Sequence, residues 1–229
     1  LFLFFSIDSK WQRTYKIVNT YSPMILSVIL SLLITVLVAI LYKISNLWIL
    51  VSLYTGFLII IRYIFVIFNF FFRNKYSNPY SISAHIGLGL LIVSIALNSE
   101  FSSERAINIK LKGNDTYLGH EINFDNLELI KMSNHDSVRA SFIVNDPKGK
   151  RFILSPEKRK YFTRGQITTE TAIHATPLKD IYITLGDQLD DGSWIVNIQF
   201  NYFIRWVWFS AILMALAGSL LAFSLRRAN

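Results

Sequence analysis

There is no cysteine among the 229 residues. That excludes a disulfide framework, a thiolate metal site and a cysteine nucleophile. Charge is missing over long stretches as well. Met24 to Tyr42 carries no charged side chain, and Leu47 to Phe72 carries only Arg62. A third apolar block runs from about Tyr80 to Leu97 and a fourth from about Phe203 to Leu225. Crossing a hydrocarbon core of ~30 Å takes about 20 helical residues. Each block must be helical there, because lipid offers no partner to an unpaired backbone amide.

Acid is scarce outside the middle of the chain. Between Ser99 and Asn201 there are 13 Lys and Arg against 14 Asp and Glu, whereas the remaining 10 basic residues face a single acid, Asp8. The net charge of +8 therefore belongs to the ends of the apolar helices. It orients a membrane protein and is no nucleic-acid footprint. Lys10, Arg13 and Lys16 precede the first span, Arg73 and Lys75 follow the second, and Arg226 and Arg227 follow the fourth. With alternating spans these fall on one side, expected to be cytoplasmic or matrix-facing, and the middle of the chain falls on the other. Aromatics that mark bilayer boundaries stand at Trp11, Tyr15, Tyr21, Tyr76, Tyr80, Trp206 and Trp208. The opening Leu-Phe-Leu-Phe-Phe resembles the end of an earlier apolar segment, and the chain is expected to be the later part of something longer.

The expected fold is an integral membrane α-helical bundle, four spans forming part of a larger bundle, with a β-rich soluble domain between spans three and four. Residues 1–98 are expected to hold three spans (about 21–43, 47–72 and 80–98). Residues 99–201 form the extracytoplasmic β-rich domain, and 202–229 the last span with a short cytoplasmic tail. Alternation is visible at Ala106–Leu111, Glu121–Leu129, Val138–Val144, Asp180–Leu185 and Trp194–Phe200, separated by turn residues such as Asn145-Asp-Pro and Asp190-Asp-Gly. Such spacing suggests a small sandwich or barrel. The last strand feeds the fourth helix almost without a linker. In that helix Ala215, Gly218 and Ala222 share a face suited to close helix contact.

His85 is the most informative residue for chemistry. It lies in Ser83-Ala-His-Ile-Gly-Leu-Gly at the head of the third span. An ionisable group in a span points to function, and neutral imidazole is a common haem-iron ligand. Ala84, Gly87 and Gly89 would admit a flat macrocycle or another helix. The alternative is a headgroup-level histidine bonded to a neighbouring helix. Arg62, the one charge inside a span, would pair with structure or with a ligand carboxylate such as a haem propionate. His120, His135 and His174 lack metal-site spacing and are expected at the surface. The run Lys148-Gly-Lys-Arg is expected in a solvated turn.

Read together, Ala84-His-Ile-Gly, Ser155-Pro-Glu-Lys-Arg-Lys-Tyr, Thr169-Glu-Thr-Ala-Ile, Asp180-Ile-Tyr-Ile-Thr-Leu-Gly, Gly192-Ser-Trp and Arg205-Trp-Val-Trp with Met214-Ala-Leu-Ala-Gly stand in an order that resembles the C-terminal part of the CcmF/NrfE-type cytochrome c haem lyases. The resemblance departs at Phe200-Asn-Tyr, where a Tyr-Lys-Pro run is usual, and at Asn197, where a basic residue is common. It implies a component of c-type cytochrome biogenesis that accepts haem b from a CcmE-like membrane haem chaperone. The haem is then attached to the Cys-x-x-Cys-His motif of apocytochrome c, with CcmH-like thiol-reducing and other maturation subunits as further partners and no nucleic acid. It makes His85 an axial ligand to the haem iron, places the internal haem's ligands outside these residues, and implies lyase activity of the full complex. It also implies a bacterial inner membrane with a periplasmic β-domain, or a mitochondrial inner membrane. Pro156, Glu157, Arg159, Tyr161 and Glu170 form a candidate partner surface. Two other readings are a non-catalytic scaffold docking chaperone and apocytochrome, and a membrane sensor or transporter subunit with an outer β-domain.

Overall fold

The computed structural model describes residues 21–73, 78–163 and 165–228. The basic and aromatic residues expected before the first span at 10–16, and Lys75 and Tyr76, lie outside them. The chain divides into two compact units, residues Leu1–Glu100 with Phe203–Asn229, and residues Phe101–Tyr202.

The first unit is helical among its described residues: α1 (Tyr21–Tyr42), α2 (Leu47–Arg73), α3 (Pro79–Phe101) and α4 (Ile204–Ala228). All four are long and apolar enough to cross a membrane. The third block extends further than the sequence suggests, ending at Phe101 and exceeding α1 by a residue. Its start is built from local chemistry. Asn78 caps it, its Oδ1 accepting the Tyr80 backbone N–H at 3.0 Å, and Pro79 takes the first helical position, where its missing N–H costs nothing. In α1 the buried Ser27, Ser31 and Thr35 return their hydroxyls to the helix's own carbonyls, which satisfies them without a partner helix.

α2 and α3 meet backbone to backbone at two glycines. A Cβ placed on Gly56 would stand 2.9 Å from the Gly89 carbonyl oxygen, and one on Gly89 would stand 2.9 Å from that of Gly56. The contact needs both residues bare, since two backbones cannot yield as a side chain does. On its other side α3 meets α4, where Gly87 backs onto the Met214 side chain and the Ser210 carbonyl. The buried positions of α4 among the described side chains are accordingly Ser210 and Ala217. The face expected to pack, Ala215, Gly218 and Ala222, is exposed, and nothing stands within 4 Å of a Cβ at Gly218. Ser210 and Ala217 are seven residues apart, as are Ala215 and Ala222, so both faces have helical spacing and only the position of the neighbour decides between them.

The second unit is a β-sandwich. Its strands are β1 (Ser103–Ile109), β2 (Asn114–Tyr117), β3 (His120–Lys131), β4 (His135–Asn145), β5 (Arg151–Leu154), β6 (Glu157–Tyr161), β7 (Ile167–Glu170), β8 (Ala172–Ala175), β9 (Lys179–Gln188) and β10 (Trp194–Tyr202). One sheet has the order β1-β10-β9-β8, the other β2-β3-β4-β6-β7 with β5 beside β4, and every pairing is antiparallel. Inward-facing side chains close the space between the sheets, among them Ile122, Phe124, Phe142, Ile183, Val196, Ile198 and Phe200, each fully buried. Each contributes roughly 1.5–3 kcal/mol by leaving water. The strong alternation of β9 and β10 follows from this one-sided burial.

Candidate functional site

His85 sits two turns into α3, where its ring is half-buried. The Ser81 carbonyl, four residues back, lies 2.7 Å from Nδ1. A carbonyl only accepts, so Nδ1 carries the proton, and the lone pair of the neutral ring stands on Nε2. This is the arrangement found in metal-binding histidines, whose second nitrogen is fixed by a carbonyl or carboxylate. One face of the imidazole is covered by Tyr63 of α2, with ring centroids 4.5 Å apart and planes inclined by 21°. Stacking occupies a face of the ring and not the edge that bears Nε2. The donor chemistry of His85 therefore fits an iron porphyrin.

The small residues around His85 have another use. Gly87 and Gly89 are filled by α4 and α2 respectively, so the space they open is taken by helices and not by a macrocycle. Arg62 precedes Tyr63 and is buried, 4% exposed. Sequence reasoning missed Tyr63. It is one aromatic among many in α2, and only its register against His85 distinguishes it.

The β-unit gathers the other candidates at β4, β6 and β7. Arg139, Glu157 and Glu170 are cross-strand neighbours in one row. Glu157 Oε1 accepts from Arg139 Nε at 2.6 Å, its Oε2 accepts from Arg159 Nε at 3.0 Å, and Arg159 also reaches Glu170 at 3.5 Å. Two carboxylates placed directly opposite would repel, and Arg159 bridges them. Burial alone would raise the Glu157 carboxyl, but the two guanidinium donors outweigh it and hold it below the ordinary carboxylate value. Pro156 and Glu157 are buried, and the Pro156 carbonyl accepts the Ala140 N–H at 3.0 Å. Of the five residues of the candidate partner surface, Arg159 and Tyr161 are half-buried and Glu170 is exposed. Arg159 also lines a cleft of about 300 Å³ with Leu129, Val138, Lys158, Lys160 and Ile167.

The remaining histidines correct an expectation. His120 is 2% exposed and belongs to the interior. Its Nδ1 donates to the Leu118 carbonyl at 2.9 Å, and its Nε2 lies 2.8 Å from the Lys179 ammonium. Burial drives its pKa down, the Leu118 carbonyl pushes back, and Lys179 adds to the depression. The Lys179 ammonium is itself held below its ordinary value by burial. His174 stacks on Phe152 with centroids 3.8 Å apart, and His135 is half-buried beside Tyr161. Among the described residues no three His, Asp or Glu side chains are grouped to hold a metal ion. Asn197, at a departure from the family pattern, donates across the β1–β10 pair to Glu104.

Residues 100–201 match the family model described as the CcmF C-terminal beta-sandwich. The chain is 32% identical over 145 residues to the cytochrome c-type biogenesis protein CcmF of Pseudomonas aeruginosa, an overlap of 62% of this chain and 22% of that protein. It is 34% identical over 148 residues to CcmF of Escherichia coli, covering 63% and 22%. With the cytochrome c-type biogenesis protein NrfE of Haemophilus influenzae it shares 27% over 147 residues, covering 64% and 23%. The chain thus spans about a fifth of the length of these relatives. The solved structure of the cytochrome c heme lyase CcmF superposes with a TM-score of 0.72 over 94% of this chain and 36% of that one, at 12% identity, a likeness of fold. The resemblance legible in the sequence motifs is borne out: residues 100–201, carried between the third and fourth apolar helices, match the CcmF C-terminal β-sandwich model.

Proposed function

We propose that the chain serves in the maturation of c-type cytochromes as part of a haem lyase. It would receive haem from a membrane-bound haem chaperone and promote haem attachment to the Cys-x-x-Cys-His motif of apocytochrome c. The observation that carries this is the 2.7 Å contact between His85 Nδ1 and the Ser81 carbonyl in a CcmF-like chain, which leaves Nε2 as the ring's ligating nitrogen. The nucleophiles belong to the apocytochrome, which accounts for a lyase segment without cysteine. Each thiol adds its S–H across a haem vinyl group: sulfur bonds to the carbon next to the ring and the proton goes to the terminal carbon. No electron is gained or lost overall. The protein's task is to hold the haem and orient it, a proximity effect. His85 would hold the haem iron through a ring nitrogen, Tyr63 would keep the imidazole plane fixed, and Arg62 is a candidate partner for a propionate. The β-unit, with Arg159, Tyr161 and Glu170 at its surface, is the candidate contact for the chaperone, the apocytochrome and the thiol-reducing subunits. The proposed setting is a bacterial inner membrane with the β-unit in the periplasm, or a mitochondrial inner membrane.

Haem absorbance of the purified full-length protein tests this directly. His85→Ala is expected to lose the transferred haem while the protein remains folded and in the membrane. A second reading, docking without haem ligation, is favoured by the Arg159-lined cleft. It predicts that His85→Ala keeps its haem and that substitutions in the cleft abolish partner binding.

A further inference from the structure

The end of the sandwich at which both connections to the helices leave is not a polar cap. α3 ends at Phe101 and β1 begins at Ser103, while β10 ends at Tyr202 and α4 begins at Ile204, so each connection is one residue long. Ser103 pairs with Phe200 and Tyr202 with Lys179, which puts the starts of β1 and β9 and the end of β10 at the same end of the sheet. The pairs Ala175↔Asp180, Tyr117↔His120 and Asn145↔Arg151 place three turns there too, because His120 reaches both Lys179 and Phe200.

The composition of these turns is unusual for water. Leu118 and Gly119 form a two-residue hairpin with φ of 48° and 74°. The first position of such a turn strongly favours Asn, Asp or Gly, yet it holds a leucine whose side chain is 48% exposed. The β8–β9 turn carries Leu178, 57% exposed, beside the exposed Pro177, and the β4–β5 turn carries the exposed Pro147. The cations Lys148 and Lys150 flank these side chains, and Asp146 in the same turn is engaged by the turn's own amides, from Lys148 at 2.9 Å and Lys150 at 2.7 Å. A strained leucine facing solvent gains nothing in water. The same leucine stabilises a domain held at a bilayer, where apolar tips enter the interface and lysines meet anionic headgroups. Trp206 and Trp208, in the first turns of α4, mark a bilayer boundary within a few residues of the β10 end.

We infer that the β2–β3, β4–β5 and β8–β9 turns dip into the headgroup region of the membrane, with Leu118 and Leu178 as apolar anchors and Lys148 and Lys150 on anionic lipid headgroups. This is independent of haem chemistry and rests only on the helices spanning a bilayer. The absence of cysteine makes the test direct. Single spin labels are placed at Leu118→Cys, Leu178→Cys and, on the opposite end of the sandwich, Asp190→Cys, with the chain reconstituted in nanodiscs containing phosphatidylglycerol. Labels at 118 and 178 are expected to collide with oxygen severalfold more, relative to a water-soluble nickel chelate, than the label at 190. A water-like ratio at 118 and 178 overturns the inference. So does shielding of both labels from both reagents, which would mean that protein covers the turns.

Discussion

The imidazole of His85 lies flat against the phenol ring of Tyr63, with centroids 4.5 Å apart and planes inclined by 21°. One helix thereby sets the ring plane of a candidate ligand carried by another, while the Ser81 carbonyl sets its proton. Tyr63 is a positioning residue under the haem reading. Tyr63→Phe, which keeps the ring, is expected to preserve the haem spectrum of the full-length protein. Tyr63→Ala is expected to broaden or shift it without removing the iron ligand. Identical spectra in the two variants would remove the role assigned to the stack.

The glycine contact between α2 and α3 makes a prediction about stability. Gly89→Ala brings a Cβ to 2.9 Å from the Gly56 carbonyl, a backbone atom that can move only with its helix. The expected cost is about 1–3 kcal/mol, the range for overpacking, read as a lower melting temperature in detergent. Gly218→Ala, where nothing lies within 4 Å, should fall within about 0.5 kcal/mol of the parent. Equal effects would show that the contact does not hold the helices.

Much of this architecture is legible in the sequence, and the exceptions share a cause. The spans announce themselves because a bilayer demands uninterrupted apolar length, and β9 and β10 because one-sided burial imposes a period of two. The strands that escape notice are β2, β5, β6, β7 and β8, each of four or five residues. In β6 the run Glu-Lys-Arg-Lys-Tyr has no apolar alternation, because its arginine and glutamate take their partners from neighbouring strands. His85 stands out as a polar residue in an apolar helix. Its stacking partner, the packing face of α4 and the burial of His120 depend on register between distant segments, which no local pattern encodes.

The ion network at Glu157 should be visible in acid. Its carboxyl pKa is depressed in the folded state from an ordinary 4.5, so the associated stability is present above that value and is lost as pH falls through the folded-state pKa. Glu157→Gln removes the charge from a site with two guanidinium donors, an expected loss of roughly 1.5–3 kcal/mol at neutral pH. Melting of the β-unit in parent and variant should converge as pH is lowered below about 4.5. A gap that stays constant with pH would count against the charge as its source.

The His120–Lys179 pair predicts a second, milder acid sensitivity. His120 has a folded-state pKa below its ordinary 6.5, so the unfolded chain takes up the proton first. Stability should then decline as pH falls below about 6.5, down to the folded-state pKa. Lys179→Met removes the neighbouring cation, one contributor to the depression after burial itself. The His120 pKa followed by NMR should rise, and the loss of thermal stability between pH 7.5 and 5.5 should shrink. An unchanged titration would assign the whole depression to burial.

The pairing of β1 with β10 has a consequence for how such a chain tolerates change. Ser103 lies opposite Phe200, so an excursion of 97 residues (200 − 103) returns the strand to its point of departure. A loop that closes on itself imposes no span on the segments it interrupts. The contact between Gly87 and Met214 does not depend on how much sandwich intervenes, and the insert is free to grow, shrink or change its surface while the helices keep their register.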